Sequence, residues 1–280
     1  MRGLGKWGFV AGFTLLLGPA GFAQPATSDP LISPIDLVRA VVVNELKPAD
    51  RARWMYELEK EEDGQKQTRQ VVQTRQGSLE PLIAIDGHSL PSEKQQEELV
   101  RIEKLVSHPR EWQKLEEVQR KEAEQCETFF KLIPEAFVFS YDGHEGGLIK
   151  IRFKPNPAFQ PSSREARMLH ALEGEMLVEA KELRLATISG HLMQDVKFGA
   201  GLLGYLQKGG KFSVTRTKIG PGQWALTAMD VDMKGKALFL KTIAVQQKEY
   251  RTSFRKVTDD LTVADAANLL TGHLTLAANH

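Results

Sequence analysis

The chain has almost no cysteine and no excess of charge of either sign. Cys126 is the single cysteine among 280 residues, so no disulfide can form within the chain and packing must hold the core together. Its helical spacing from Leu115 and Phe129 predicts a buried, unreactive thiol. Lysine and arginine total 37 against 36 aspartates and glutamates, so the basic excess of a nucleic-acid-binding protein is missing.

Recognised catalytic motifs are missing as well. The sequence contains neither His-Glu-x-x-His nor Gly-x-Ser-x-Gly, and its histidines are scattered along the chain. Asp142, His144 and Glu145 carry metal-binding side chains, but the glycines beside them explain the segment equally well as a tight hairpin. We therefore expect a protein that is not an enzyme and has no metal and no cofactor.

Residues 199–204 read Gly-Ala-Gly-Leu-Leu-Gly, a formal match to the dinucleotide-binding fingerprint. That fingerprint needs a parallel βαβ unit and an acidic residue ~20 positions further on, whereas a β-meander follows here. We interpret these glycines as a crowded structural turn.

A long apolar run occurs at the N-terminus. Arg2 and Lys6 precede the mostly apolar residues 7–22, and Gly21 and Ala23 are the small residues of a cleavage site. A membrane anchor is the alternative, but the run is shorter than the ~20 apolar residues needed to span a bilayer. The sequence predicts a signal peptide at 1–23, cleavage before Gln24, and export of the mature chain to the periplasm.

The mature chain is predicted to begin with a leader at 24–33 and a short helix. Ser33 is a suitable N-cap and Pro34 a suitable first helical residue, and apolar residues follow at helical spacing. Alternating apolar residues from Trp54 onward predict a first strand, with further strands at 66–75 and 79–85.

The charged segment 91–134 is predicted to be helical. Ser92 with Gln95 suggests a capping box, and Pro109 interrupts the segment or starts a new helix. Because the charges are mixed and no heptad is sustained, a solvated outer face is favoured over a coiled coil. Ser162 and Ser163 then cap another short helix.

Residues 173–254 are predicted to form a meander of antiparallel strands separated by glycine-rich turns. The predicted strands are 175–179, 183–192, 211–219, 223–233 and 236–251. In the last two strands apolar residues occur on both sides, and the alternation of Trp224 and Leu226 changes phase before Met229 and Val231. We infer an α+β protein whose sheet faces are both covered, or one of which lines an apolar cavity.

This order of elements resembles the outer-membrane lipoprotein-sorting superfamily, the LolA/LppX/RseB-like periplasmic proteins. A closer resemblance, to uncharacterised bacterial exported proteins related to that superfamily, covers residues 155–254. It is carried by Leu183-Arg184-Leu185, Gly190, Val196-Lys197-Phe198-Gly199, Leu202-Leu203-Gly204, Lys208-Gly209-Gly210, Trp224 and Gly235-Lys236.

The resemblance implies a strongly curved antiparallel sheet, a half-open β-barrel, with helices covering its concave face. It implies a LolA-like domain at 34–260, followed by a C-terminal tail with a short helix at 261–280. The implied function is a monomeric periplasmic carrier or chaperone that binds a lipoprotein acyl chain or another lipidic ligand. The alternative is an RseB-like envelope sensor or protein-interaction module without lipid transport.

Strand alternation predicts which side chains would face such a cavity. The candidates form inward-pointing pairs, one pair on each of five strands. They are Trp54 and Tyr56, Met176 and Val178, Phe212 and Val214, Trp224 and Leu226, and Leu238 and Leu240. These side chains line a ligand site in one interpretation and form a solid core under the helices in the other.

Overall fold

In a computed structural model the structure describes residues 32–47, 52–62, 64–198, 204–237 and 241–277. The predicted signal peptide, most of the leader and residues 199–203 of the glycine cluster lie outside these ranges. The described chain is α+β. Its helices are α1 (Pro34–Glu45), α2 (Ser92–Ser107), α3 (Pro109–Ala136), α4 (Arg164–Leu169) and α5 (Val263–Ala277).

The strands follow in chain order and belong to one sheet. They are β1 (Arg53–Glu62), β2 (Gln65–Thr74), β3 (Gly77–Leu79), β4 (Leu82–Ile85), β5 (His88–Ser89), β6 (Phe137–Glu145), β7 (Leu148–Pro155), β8 (Leu172–Glu179), β9 (Arg184–Leu192), β10 (Val196–Phe198), β11 (Gly204–Leu206), β12 (Lys211–Gly220), β13 (Gln223–Ala237) and β14 (Lys241–Val257).

The sheet is antiparallel and follows one path of hydrogen-bonded neighbours. That path is β5-β4-β2-β1-β14-β13-β12-β9-β8-β7-β6, with β3 beside β2 and the β10–β11 pair beside β13. The two ends of the path, β5 and β6, are not paired, so the sheet of described strands is open. Pairing of β1 with β14 joins the two predicted groups of strands into one ladder.

Local sequence signals explain some of the helix boundaries. The Ser33 side chain accepts a hydrogen bond from the Asp36 amide at the start of α1, as predicted. Pro109 begins α3, which confirms the predicted interruption. The predicted capping box at Ser92 is wrong: Pro91 precedes the helix, and the Gln95 side chain donates from Nε2 to the Leu90 carbonyl.

The two faces of the sheet can be followed through the strand registers. A row of directly opposite residues crosses β7, β8, β9, β12, β13, β14 and β1. Along each strand, every second side chain points to the same face of the sheet as the residue of this row. The row consists of Ile151, Met176, Ile188, Val214, Met229, Glu249 and Lys60. We call this side the α1 face and the opposite side the α5 face.

Helix α1 covers the α1 face at the end of the sheet formed by β6 to β9. Its Val38 and Val41 pack against Ile151 and Met176, and the last part of α3 adds Ile133. Every one of these side chains is 2% exposed or less. This end therefore has a solid apolar core. The burial of apolar surface, which contributes ~25 cal/mol per Å², is the main term that stabilises it.

Helix α5 covers the opposite face at the other end of the sheet. Met55 and Val72 alternate with Tyr56 and Val71 and therefore point to the α5 face. They pack against Leu270 of α5, and Trp112 at the start of α3 completes this cluster. The described helices thus lie on both faces of the sheet, α1 on one and α5 on the other.

The 28-residue helix α3 connects the two clusters. Trp112 near its start belongs to the α5 cluster, whereas Ile133 near its end belongs to the α1 cluster. Its middle is solvated, and ion pairs such as Lys121 with Glu117 lie on its surface. Cys126 lies there too and is exposed, so the predicted burial of this thiol is wrong. Helical spacing predicted an apolar stripe along α3. It did not predict how much of that stripe the sheet covers.

The phase change in β13 is a register shift. Opposite β12, Leu226 pairs with Arg216 and Ala228 with Thr215, so one extra residue is inserted in β13 between the two pairs. Trp224, Leu226, Met229 and Val231 therefore all point to the α1 face. The interpretation of β13 as apolar on both faces is wrong, because only the α1 face receives its large apolar side chains.

Candidate functional site

The predicted cavity residues that the structure describes share one face. Trp54, Tyr56, Met176, Val178, Phe212, Val214, Trp224 and Leu226 all point to the α1 face by strand register. Leu238 lies outside the described residues, and so does Leu240. Strand register places these side chains on one face, but the packing around them differs along the sheet.

The pair on β8 lies in solid core. Met176 is 1% and Val178 0% exposed, and both belong to the cluster under α1. Phe212 on β12 is half-buried at the margin of the same cluster. These side chains are already in contact with protein, so the filled-core interpretation fits them.

The middle of the sheet is packed differently. Val214 on β12 and Trp224, Leu226 and Met229 on β13 are half-buried, and none of them belongs to the three apolar clusters formed by described residues. Val214 lies directly opposite Met229, which brings the two strands' apolar side chains together. We call these four side chains the central strip. Val214, Trp224 and Leu226 were predicted to line the cavity, and Met229 joins them by register.

Trp54 and Tyr56 lie further along the same face, in a small aromatic cluster. Phe254 stacks on Tyr56 with ring centroids 5.0 Å apart and meets Trp54 edge-on at 6.4 Å. Phe254 reaches this face beside a register shift between β1 and β14, where Ser253 has a φ of 58°. The cluster borders the central strip on the side of β1.

A buried carboxylate connects the end of α1 to the sheet. The Glu45 side chain is 1% exposed, and its Oε1 accepts hydrogen bonds from Arg184 Nε at 2.9 Å and from the Leu185 amide at 3.0 Å. Its Oε2 contacts Arg216 of β12. Burial lowers the pKa of the Arg216 guanidinium, although Glu45 pairs with it. This ion pair fixes α1 next to the central strip, since Arg216 is the residue opposite Leu226.

A second polar contact holds the tryptophan of the strip. Trp224 Nε1 donates to Glu182 at 2.6 Å, and Lys218 pairs with the same carboxylate. These hydrogen bonds, first from Lys218 and then from Trp224, lower the pKa of Glu182. The indole is thereby oriented at one end of the strip.

A cavity on the α5 face was not predicted. It is a groove of about 910 Å³ that crosses the strands from β7 to β1. The backbone at glycines such as Gly174 and Gly190 forms the floor of the groove. The residues before and after these glycines along each strand point into it. The walls carry charges of both signs, for example Arg152 and Glu175. Finding this groove requires the cross-strand register, which local periodicity does not provide.

The candidate metal-binding hairpin is occupied by ion pairs. Asp142 accepts two hydrogen bonds from Arg152, each 2.8 Å long, and Glu145 pairs with Lys150 at 3.3 Å. Among the described residues, no group of three His, Cys, Asp or Glu side chains could hold a metal ion. In the same part of the chain, no helix combines the length and apolarity that crossing a membrane requires.

Comparisons with protein-family models, with curated proteins and with solved structures give no match.

Proposed function

We propose that this protein is a non-catalytic, monomeric carrier or chaperone of the periplasm that binds a lipoprotein acyl chain or another lipidic ligand. The central strip supports this most directly, because its apolar side chains share one face and remain partly accessible between two helix-covered ends. An acyl chain needs a continuous apolar surface that is screened from water on one side.

In this proposal the open sheet is a curved half-barrel whose concave side is the α1 face. Helix α1 and the end of α3 cover part of that side, and the acyl chain occupies the part over the central strip. The Glu45 ion pair limits how far α1 moves when a ligand enters. Residues 1–23, as a cleavable signal, deliver the chain to the compartment where lipoproteins are transported.

A fluorescent fatty-acid probe tests this function. The mature protein is expected to bind the probe, and Leu226→Ala is expected to weaken binding because it removes apolar contact from the strip. Ala225 lies next to Leu226 but points to the α5 face, so Ala225→Ser is the matched control and should bind as the wild type does. Absence of probe binding by the wild-type protein would contradict the proposal.

The groove on the α5 face favours a second candidate, an RseB-like sensor or protein-interaction module without lipid transport. Its length across several strands and its charges of both signs suit an extended polar segment of a partner protein. Cross-linking at Ser189 in the groove, followed by mass spectrometry of the envelope fraction, tests it. A defined protein adduct together with no bound lipid would favour the sensor, whereas bound lipid without an adduct would favour the carrier.

A further inference from the structure

A separate pocket of about 640 Å³ lies on the α1 face where β2, β1 and β14 are neighbours. Tyr56 and Leu58 form its apolar part, and most of the remaining lining is polar. Glu80, between β3 and β4, and Glu122 of α3 contribute side chains from outside these three strands. We call it the charged pocket. It is distinct from the central strip, whose residues do not line it.

Two arginines are held in place at this pocket by the protein. Arg251 lies over the Tyr56 ring, with its guanidinium carbon 5.8 Å from the ring centroid, and donates to Glu249 at 3.2 Å. Arg69 donates to the Glu80 carbonyl at 3.1 Å and to Gln67 at 2.9 Å. A guanidinium has five N–H donors, so each arginine retains donors for a ligand. The Nε of Arg251 is buried and has no acceptor among the described residues.

Two carboxylates provide acceptors beside these donors. Glu249 is 8% exposed and accepts from Gln247 at 2.6 Å, which fixes its orientation. Glu80 belongs to the lining of the pocket, and its carboxylate has no hydrogen bond among the described residues. Burial raises the pKa of this carboxyl, as expected for a group that has left water without a hydrogen-bonded partner. Such a group gains most from a ligand that donates a hydrogen bond to it.

The mixture of groups restricts the class of ligand. Lys60, Arg69 and Arg251 face Glu80, Glu122 and Glu249, so the basic and acidic side chains of the lining balance. An ion of either sign would meet both attraction and repulsion here, and an acyl chain would leave the polar groups without water. Neutral hydroxyl groups, each a donor and an acceptor, match guanidinium, carboxylate and amide side chains together.

We propose that the charged pocket binds a neutral polyhydroxylated ligand of the size and chemistry of a disaccharide. The volume lies within the ~300–1,000 Å³ typical of small-molecule sites. Arg69, Glu80 and the glutamine amides would hydrogen-bond the hydroxyl groups, and Leu58 would contact the C–H side of a sugar ring. Tyr56 is shared with the predicted cavity residues, but none of the central strip lines this pocket, so the two proposals are tested separately.

Calorimetric titration of the mature chain with maltose, cellobiose and N,N′-diacetylchitobiose tests the inference, with inorganic phosphate as the ionic probe. We expect at least one disaccharide to bind, and Arg69→Met to weaken it about tenfold or more, as for loss of a charged hydrogen bond. Arg39→Met is the matched control, because Arg39 lies on α1 in an exposed pair with Asp36. It should leave the affinity unchanged.

Glu80→Gln keeps the shape of the side chain and decides the question if Arg69→Met does not fold. It should reduce the affinity about fivefold or more, because an amide accepts a weaker hydrogen bond than a carboxylate. The inference is overturned if none of the three disaccharides binds, if phosphate binds in their place, or if Glu80→Gln binds as the wild type does. Fatty-acid probe binding is measured on the same samples, so failure of either proposal is visible by itself.

Discussion

At the β6–β9 end of the sheet, α1 packs on one face and the opposite face lines the groove. At the β1–β4 end, α5 packs on that opposite face, and the α1 face carries the aromatic cluster and the charged pocket. Both ends belong to one antiparallel ladder. The covered face therefore changes because the helices lie on different sides of the sheet, and not because the strands differ.

Because of this difference, the α1 face in the middle of the sheet belongs to neither of the two helix-covered clusters. Strands β12 and β13 lie between the two covered ends, and their large apolar side chains point to the α1 face. Neither packed cluster includes Val214 or Leu226. At this place the described helices provide no core over the apolar side chains, and this is the surface that the acyl-chain proposal uses.

Removal of the Glu45 carboxylate should have the largest effect. Glu45→Ala leaves Arg184 and Arg216 without their partner in a buried setting, and we expect a loss of about 3–5 kcal/mol in unfolding free energy. Urea denaturation followed by circular dichroism measures it. Asp36→Asn on the same helix is the control, because its pair with Arg39 is exposed and should contribute far less to stability. Equal losses for the two variants would show that α1 is not held by this ion pair.

Alanine substitutions compare the covered ends with the middle. Met176→Ala under α1 and Leu270→Ala in α5 should each cost ~2–5 kcal/mol, since both side chains are 1% exposed. Leu226→Ala should cost only about 1 kcal/mol, because a half-buried side chain leaves little cavity. The same denaturation curves report all three. A full core penalty at Leu226 would mean that the strip is filled, and the acyl-chain proposal would lose its surface.

The smallest expected effect is the pH dependence contributed by Glu80. Burial raises the pKa of this carboxyl in the folded protein above its ordinary value of 4.5. Between the ordinary and the raised pKa the folded state binds more protons than the unfolded state, so stability falls as pH rises through that window. Glu80→Gln should therefore be slightly more stable than wild type at neutral pH.

That advantage should disappear below the ordinary pKa, where the wild-type carboxyl is protonated in both states. Melting temperatures of the two proteins across this range provide the test. A difference that stays constant with pH would show that the burial of Glu80 has no electrostatic cost.

Local patterns predicted much of the fold. The cap at Ser33, the break at Pro109 and the phase change between Leu226 and Met229 each depend on a few neighbouring residues, and each is present in the structure. The antiparallel α+β class follows from the same strand alternation. These features are predictable because hydrogen bonding and side-chain periodicity act over one or two turns or one strand.

Features that depend on distant partners were not predictable. The sequence does not indicate that Glu45 meets Arg216, or that α5 covers the face opposite to α1, because both need the order of strands in the sheet. The shared face of the candidate site was predictable from alternation, but the solid packing around Met176 and the accessibility of Leu226 were not. Those differ only through the helices that lie above each strand.

Photo-cross-linking at two adjacent residues tests whether a lipid binds on the α1 face of the sheet. p-Benzoylphenylalanine is placed at Leu226 or at Ala225 in protein exported to a bacterial periplasm, and the adducts formed under ultraviolet light are identified by mass spectrometry. We expect a lipid adduct at Leu226, on the α1 face, and none at Ala225, on the α5 face. A lipid adduct at Ala225 alone, or at neither residue, would contradict this expectation.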